Sequence, residues 1–247
     1  MPTSNSHQGF VHSIETAGAV DGPGIRYILF LSGCPLQCQY CHNPDSRKMK
    51  EGTLKTVDEV MSDIKPYIST LKRMKGGVTI SGGEPLTQTE FCGAILEQCK
   101  ALGLHTAIDT SGFHGMDVDG IFLQNTDLVL LDIKSSLPSL YKKITRVDLQ
   151  PTLDFLHRLS ELDKPVWVRF VLIPELTDSE ENLRGVAKIC ASFPNIQRVD
   201  LLPFHKMGEY KWKERNLPYA LEHISPPDAA AMERARTIFR EQGVVAV

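Results

Sequence analysis

No apolar run in this chain approaches the ~18 residues that a helix needs to cross a bilayer, so a membrane-spanning helix is not expected. The opening stretch, Met1 to Gly9, is small and polar. It lacks the basic start and apolar centre of a secretory signal, and the Arg of a transit peptide. It reads as a loose tail over residues 1–8, and the protein is expected to be cytoplasmic. Positive charge is not in excess: 27 Lys and Arg face 30 Asp and Glu, a formal charge of -3. That balance gives no footing for a nucleic-acid backbone or an acidic membrane surface. Low-complexity segments, charge blocks and Pro/Gly/Ser linkers are missing too. One domain over residues 9–247, working as a monomer, is the expectation.

What recurs instead is a short apolar strand, then polar residues, then a helical pattern. Strands are expected at Arg26–Leu31, Val78–Ser81, Thr106–Asp109, Leu128–Ile133, Val166–Ile173 and Val199–Leu202. Near-continuous Val, Ile and Leu suits strands buried on both faces, as in parallel sheets. Between them, Val57, Val60, Met61 and Ile64 follow helical spacing behind a Thr56/Glu59 capping box. Thr87 with Glu90 is expected to open a second helix. Leu183, Val186, Ala187 and Cys190 line a third, and Ser225-Pro226 is expected to open the last. Alternating strand and helix implies right-handed crossovers and a parallel sheet. Six units are legible, not eight. An α/β fold of the open partial (β/α)6 TIM-like barrel type is expected, with a doubly wound sheet as the alternative.

Parallel barrels gather their active sites at the C-terminal ends of the strands. Cys34, Cys38 and Cys41 follow the first strand here, and Ser81-Gly82-Gly83-Glu84-Pro85 follows the second. Asp109-Thr110-Ser111-Gly112 ends the third and Asp132-Ile133-Lys134 the fourth. Arg169 lies within the fifth, and Pro203-Phe204-His205 closes the sixth. Polar, ionisable or Gly-rich groups are thus expected to converge on one rim, which is the pattern of a site.

The chain has six cysteines, three of them within residues 34–41. In a reducing compartment such a cluster reads as metal or catalysis rather than disulfide. The C-x3-C-x2-C spacing lets one loop wrap a compact soft-metal centre, an iron–sulfur cluster or a zinc ion. Zinc would need His42 as its fourth ligand, next to Cys41 and awkwardly placed for one tetrahedral ion. A cube cluster normally takes four cysteines. Three leave one iron open, which is useful only if a small molecule binds there. Cys92, Cys99 and Cys190 fall on apolar helix faces and read as buried, inert thiols.

C-x3-C-x-Tyr-C, filled by Cys34, Cys38, Tyr40 and Cys41, resembles the signature of the radical S-adenosylmethionine (SAM) enzymes. Gly82-Gly83-Glu84 resembles that family's glycine-rich SAM motif. Asp21-Gly22-Pro23-Gly24-Ile25-Arg26 is similar to the motif that precedes the cysteine loop in glycyl-radical-enzyme activating enzymes. Tyr40-Cys41-His42-Asn43, Asp109-Thr110, Asp132-Ile133-Lys134, Arg169 and Leu202-Pro203-Phe204-His205 continue the likeness in order, from about residue 9 to the C-terminus. His42 to Gly76 contains no cysteine, so the inserted ferredoxin-like segment of some relatives is missing. The family more often has Gly where Arg146 stands, which bears on partner contacts in that loop.

The resemblance implies a [4Fe–4S] cluster on Cys34, Cys38 and Cys41, whose open iron binds SAM, and an electron that cleaves SAM to methionine and a 5′-deoxyadenosyl radical. It implies that this radical removes a glycine hydrogen from a partner enzyme, pyruvate formate-lyase for the short single-cluster type, with reduced flavodoxin as electron donor. Gly82 and Gly83 would let backbone approach the methionyl part; alone, they are an ordinary turn. Glu84 would accept from the SAM ammonium or hold its loop. Asp132, Ile133 and Lys134 would line the SAM site with Asp109 nearby, the two carboxylates also holding a monovalent cation; otherwise they cap helices or pair at the surface. Tyr40 and His42 would flank the adenine or support the cysteine loop. His205 would touch the nucleoside or make a structural hydrogen bond. Arg169 would meet the SAM carboxylate or a barrel carboxylate. The rival functions are activation of another glycyl-radical enzyme and a non-catalytic zinc module.

Overall fold

The structure is a computed structural model and describes residues 7–247. Most of the tail assigned to residues 1–8 lies outside that range, and Gln8 already opens the first strand. Two compact units make up the chain, one of residues up to Cys34 with Ser46–Leu130, the other of Pro35–Asp45 with Leu131–Val247. Among the described residues no helix is long and apolar enough to cross a membrane.

The first unit contains β1 (Gln8–Gly18), β2 (Arg26–Leu31), β3 (Thr53–Thr56), α1 (Val57–Ile64), α2 (Ile68–Arg73), β4 (Gly77–Gly82), α3 (Thr89–Ala101), β5 (His105–Thr110) and α4 (Gly120–Gln124). β6 (Leu128–Asp132) runs through the division between the units. β2, β4 and β5 are parallel, with Arg26 opposite Gly77 and Gly77 opposite His105. Their C-terminal ends therefore share one edge. Leu29, Val78, Ile80, Ala107 and Ile108 are fully buried, as expected of strands covered on both faces.

β1 and β3 were not among the expected strands. β1 pairs antiparallel with β2, and β3 with β1. Both are half-exposed and carry scattered polar residues, so neither forms an apolar run. The Asp21–Arg26 motif packs at the start of β2. Fully buried Arg26 donates to Val78 O at 2.5 Å and Thr79 Oγ1 at 2.9 Å, and Thr79 Oγ1 donates to Asp21 O at 2.6 Å. Burial lowers the Arg26 pKa to about 10, against the opposing charges of Asp127 and Asp21.

The capping box of α1 is present: Glu59 N donates to Thr56 Oγ1 at 3.2 Å, and Thr56 N to the Glu59 carboxylate at 2.7 Å. Two other helix starts differ from expectation. Thr87 turns its hydroxyl to Glu84 O at 2.7 Å, and α3 begins at Thr89 after an uncapped Gln88. The last helix begins at Ala229, capped by Asp228, whose carboxylate takes the N–H of Ala231 at 2.7 Å. Ser225-Pro226 lies ahead of it in irregular chain.

The second unit holds α5 (Pro138–Thr145), α6 (Gln150–Glu161), β7 (Val166–Leu172), α7 (Glu180–Ala191), β8 (Ile196–Pro203), α8 (Glu209–Glu214) and α9 (Ala229–Glu241). β7 and β8 are parallel, with Val168 opposite Val199. β7 alternates buried and half-buried residues, so Arg169 stands on its less covered face. Tyr40, Ile144, Ile173, Phe204, Leu221 and Ile224 form one buried cluster in this unit. It anchors the Pro35–Asp45 segment to the ends of β7 and β8. α5 ends at Arg146 in the left-handed conformation, φ 71°.

Candidate functional site

In the first unit the ends of β2 and β4 press directly together. Gly83 N donates to Leu31 O at 2.7 Å and Glu84 N to Gly33 O at 2.8 Å. A Cβ on Gly82 would collide with the Leu31 backbone, and one on Gly83 with the Gly33 carbonyl. Gly82 also has φ 111°, a region that L side chains rarely adopt. Both glycines are required by this approach of backbone to backbone. Cys34 leaves the same strand end, its N–H donating to Arg47 O at 3.0 Å.

Glu84 is only 1% exposed. Its Oε1 accepts from Leu86 N at 3.1 Å and Thr110 Oγ1 at 2.5 Å; its Oε2 accepts from Ser111 N at 2.9 Å and Ser111 Oγ at 2.5 Å. Four donors fill the usual acceptor capacity of a carboxylate. Of the two roles read for Glu84, holding the loop is the one its contacts describe: it ties the turn after β4 to the end of β5. Asp109, the penultimate residue of β5, accepts from Ser81 Oγ at 2.7 Å.

In the second unit the cysteine segment runs along the end of α5. Gln37 N donates to Thr145 O at 2.8 Å and Gln39 N to Ile144 O at 3.1 Å, while Cys41 N closes a turn onto Cys38 O at 3.2 Å. Tyr40 sits in the buried cluster with Lys134 Nζ 5.6 Å from its ring centre. It therefore supports the cysteine segment, the second of its two expected roles, and burial raises its pKa. Lys134 donates to Asp132 Oδ2 at 2.8 Å. Burial opposes its charge, yet Asp132, with Tyr40 and Cys38, outweighs that and holds its pKa well above the ordinary lysine value. Ile133 is fully buried, and its N–H donates to Arg169 O at 3.1 Å.

His42 and His205 stack, 4.2 Å between ring centres and 25° between planes. His42 Nε2 lies 3.3 Å from His205 O. The covering of His42, then the nearby His205 ring, lowers its pKa; Lys211 and Arg169 act in the same direction. Two residues beside this pair escaped the sequence reading. Trp212 Nε1 donates to Cys41 O at 2.9 Å, and Lys211 Nζ donates to Asn43 Oδ1 at 2.8 Å. Thr110 and Ser111, the Glu84 partners, were noted as a polar strand end, and Thr110 also within the Asp109-Thr110 likeness, but neither as a site residue. Their hydroxyl pattern was visible; their partner was not.

None of the six cysteines is in a disulfide. Cys34, Cys38 and Cys41 are half-buried, whereas Cys92, Cys99 and Cys190 are buried on helices, as expected. Burial pushes Cys99 and Cys190 up to about 12 and Cys92 higher. The accessible thiols are thus those of one loop, a soft donor set that fits an iron–sulfur cluster. Among the described residues no group of three or more His, Cys, Asp or Glu is placed to hold a single metal ion.

The family model described as Radical SAM superfamily matches residues 28–185. The chain is 43% identical over 236 residues to the pyruvate formate-lyase-activating enzyme of Listeria monocytogenes, covering 93% of this chain and 95% of that relative. Among solved structures, a domain of the pyruvate-formate lyase-activating enzyme from Bacteroides vulgatus aligns with TM-score 0.59 and 27% identity, over 70% of this chain and 98% of that one. A radical SAM methyltransferase from Sphaerobacter thermophilus aligns with TM-score 0.64 and 16% identity, over 93% and 70%. The fold class is the open partial (β/α)6 barrel of the radical SAM type, and the doubly wound alternative falls away. The cofactors are a [4Fe–4S] cluster and SAM, which displaces the zinc module. With a near-full-length match at this identity and the superfamily's motifs in place, the chain belongs to the radical SAM superfamily and, within it, to the pyruvate formate-lyase-activating enzyme family.

Proposed function

We propose that this chain activates pyruvate formate-lyase by installing a glycyl radical, acting as a cytoplasmic monomer of one domain over residues 9–247. The observation that carries the reading is the near-full-length identity to relatives that bear that name. Cys34, Cys38 and Cys41 would hold the cluster, which would supply the one-electron reduction that cleaves the sulfonium of SAM for removal of a hydrogen from a glycine Cα. The chain's own residues bind, orient and exclude water. Gly82 and Gly83 offer backbone at the end of β4, and Glu84 keeps that turn rigid through its four hydrogen bonds. Asp132 and Lys134, paired at 2.8 Å, would line the SAM site with a carboxylate and a cation. By the resemblance, Asp109, Arg169 and Ile133 would also contact SAM, and Asp109 and Asp132 would each be a candidate ligand for a monovalent cation. The stacked His42 and His205 provide a flat surface for the adenine, with the His42 ring held neutral by the lowering of its pKa. Reduced flavodoxin supplies the electron.

The test is anaerobic mixing of the reconstituted chain with reductant, SAM and pyruvate formate-lyase, read by electron paramagnetic resonance (EPR). A glycyl-radical doublet is expected. SAM cleavage without it points to a different glycyl-radical enzyme as partner and rejects this one.

A further inference from the structure

Several independent contacts converge on the residues that follow Tyr40, and all come from the segment His205–Trp212. Trp212, 5% exposed on α8, donates its indole N–H to the carbonyl oxygen of Cys41 at 2.9 Å. Lys211 beside it donates to Asn43 Oδ1 at 2.8 Å and pairs with Asp45 at 3.2 Å. The His205 ring covers His42. Gly208 leaves room for the His42 backbone, which a Cβ there would approach to 2.8 Å. Ahead of Cys38 and Cys41 the loop is fastened by the Gln37 and Gln39 amides to the end of α5. Cys41 itself is held by its turn onto Cys38 and by Trp212.

From this geometry we infer that Trp212 is a positioning residue for the cluster, acting through Cys41. The indole N–H can only donate. Its direction is fixed because the ring packs against Tyr219, 5.4 Å between centres and tilted 48°. Bonded to the Cys41 carbonyl, it fixes the peptide plane between Cys41 and His42. That sets the direction of the Cys41 thiol on one side and the stacking position of His42 on the other. Groups that orient a metal ligand from outside typically change metal retention by 10–100-fold when removed. The inference rests on the assignment of Cys41 as a cluster ligand under the proposed function.

The experiment compares the full chain with Trp212→Phe, which keeps an aromatic ring against Tyr219 and removes the donor. Trp167→Phe is the control, since Trp167 donates its indole N–H to Gln197 on an exposed face and stacks with Arg198. Each protein is reconstituted anaerobically with iron and sulfide. Transfer of iron to a chromogenic chelator is timed, and the EPR line shape of the reduced cluster is recorded with and without SAM. Trp212→Phe is expected to lose iron about tenfold faster and to show an altered SAM response, with Trp167→Phe matching the parent. Release within twofold of the parent and an unchanged line shape overturn the inference, as does equal acceleration in the control. Should Trp212→Phe fail to fold, replacement of Trp212 by the analogue 3-benzothienylalanine in the Trp167→Phe background decides, because sulfur takes the place of the indole N–H and the ring shape is kept. About threefold faster release is then expected, on the order of one weak hydrogen bond, and parent-like release overturns the inference. A parent chain that takes up no iron fails at the cluster assignment itself, which separates that failure from failure of the Trp212 role.

Discussion

Replacing Glu84 by Gln is a near-isosteric change whose cost follows from the geometry of its donors. Each carboxylate oxygen takes one backbone N–H and one hydroxyl: Leu86 N and Thr110 Oγ1 on Oε1, Ser111 N and Ser111 Oγ on Oε2. A hydroxyl can reverse and accept from the new NH2 group, but a backbone N–H cannot. Whichever way the amide is flipped, either Leu86 N or Ser111 N is left facing a donor. An unsatisfied buried donor costs about 1–3 kcal/mol, and the remaining bonds lose the strengthening given by the ionised acceptor. The sum is about 3 kcal/mol, which for a chain of this length lowers the thermal midpoint by about 6–12 °C. Scanning calorimetry of the cluster-free chain measures it without involving activity. A midpoint within 2 °C of the parent would refute the claim that Glu84 fastens the turn after β4 to β5.

Arg146 occupies a left-handed position at the end of α5, φ 71°; Arg146→Gly is expected to raise the thermal midpoint by about 2–4 °C, the effect of about 1 kcal/mol, and a decrease would contradict the strain. His105 has its pKa lowered to about 4 from 6.5, first by burial and then by the Arg26 charge. The unfolded chain therefore takes the proton first, so this contribution is intact above pH 6.5 and is lost as pH falls toward 4. It amounts to about 2 kcal/mol after allowance for partial exposure, and urea midpoints at pH 7 and 5 should diverge more in the parent than in His105→Asn. Cys38→Ala is expected to lose both the intact cluster and SAM cleavage, whereas Cys190→Ala, on a buried helix face, keeps the parent's iron and sulfide content.

Six of the strands were legible because their apolar runs carry the burial directly, from Arg26–Leu31 to Val199–Leu202. β1 and β3 were not, because their stability comes from edge pairing rather than from composition. The Thr56/Glu59 box was read correctly, while Thr87/Glu90 has the same spelling and no cap. Glu84 stands three residues before Thr87 and takes its hydroxyl through a carbonyl instead. Local spelling cannot rank those two partners; tertiary packing does. In the first unit the order of motifs along the chain put the Cys34, Gly82–Glu84 and Asp109 segments at neighbouring strand ends, because β2, β4 and β5 are parallel and bring their C-terminal ends to one edge. Pairings such as Glu84 with Ser111 or Trp212 with Cys41 span 27 and 171 residues, beyond any sequence periodicity.

The most direct test of the central claim follows the hydrogen itself. Pyruvate formate-lyase carrying glycine deuterated at Cα is mixed anaerobically with this chain, SAM and reductant, and the 5′-deoxyadenosine formed is weighed by mass spectrometry. One deuterium per molecule, appearing with the glycyl-radical signal, is the predicted result. Unlabelled 5′-deoxyadenosine, or label transfer with no radical on the partner, would contradict it.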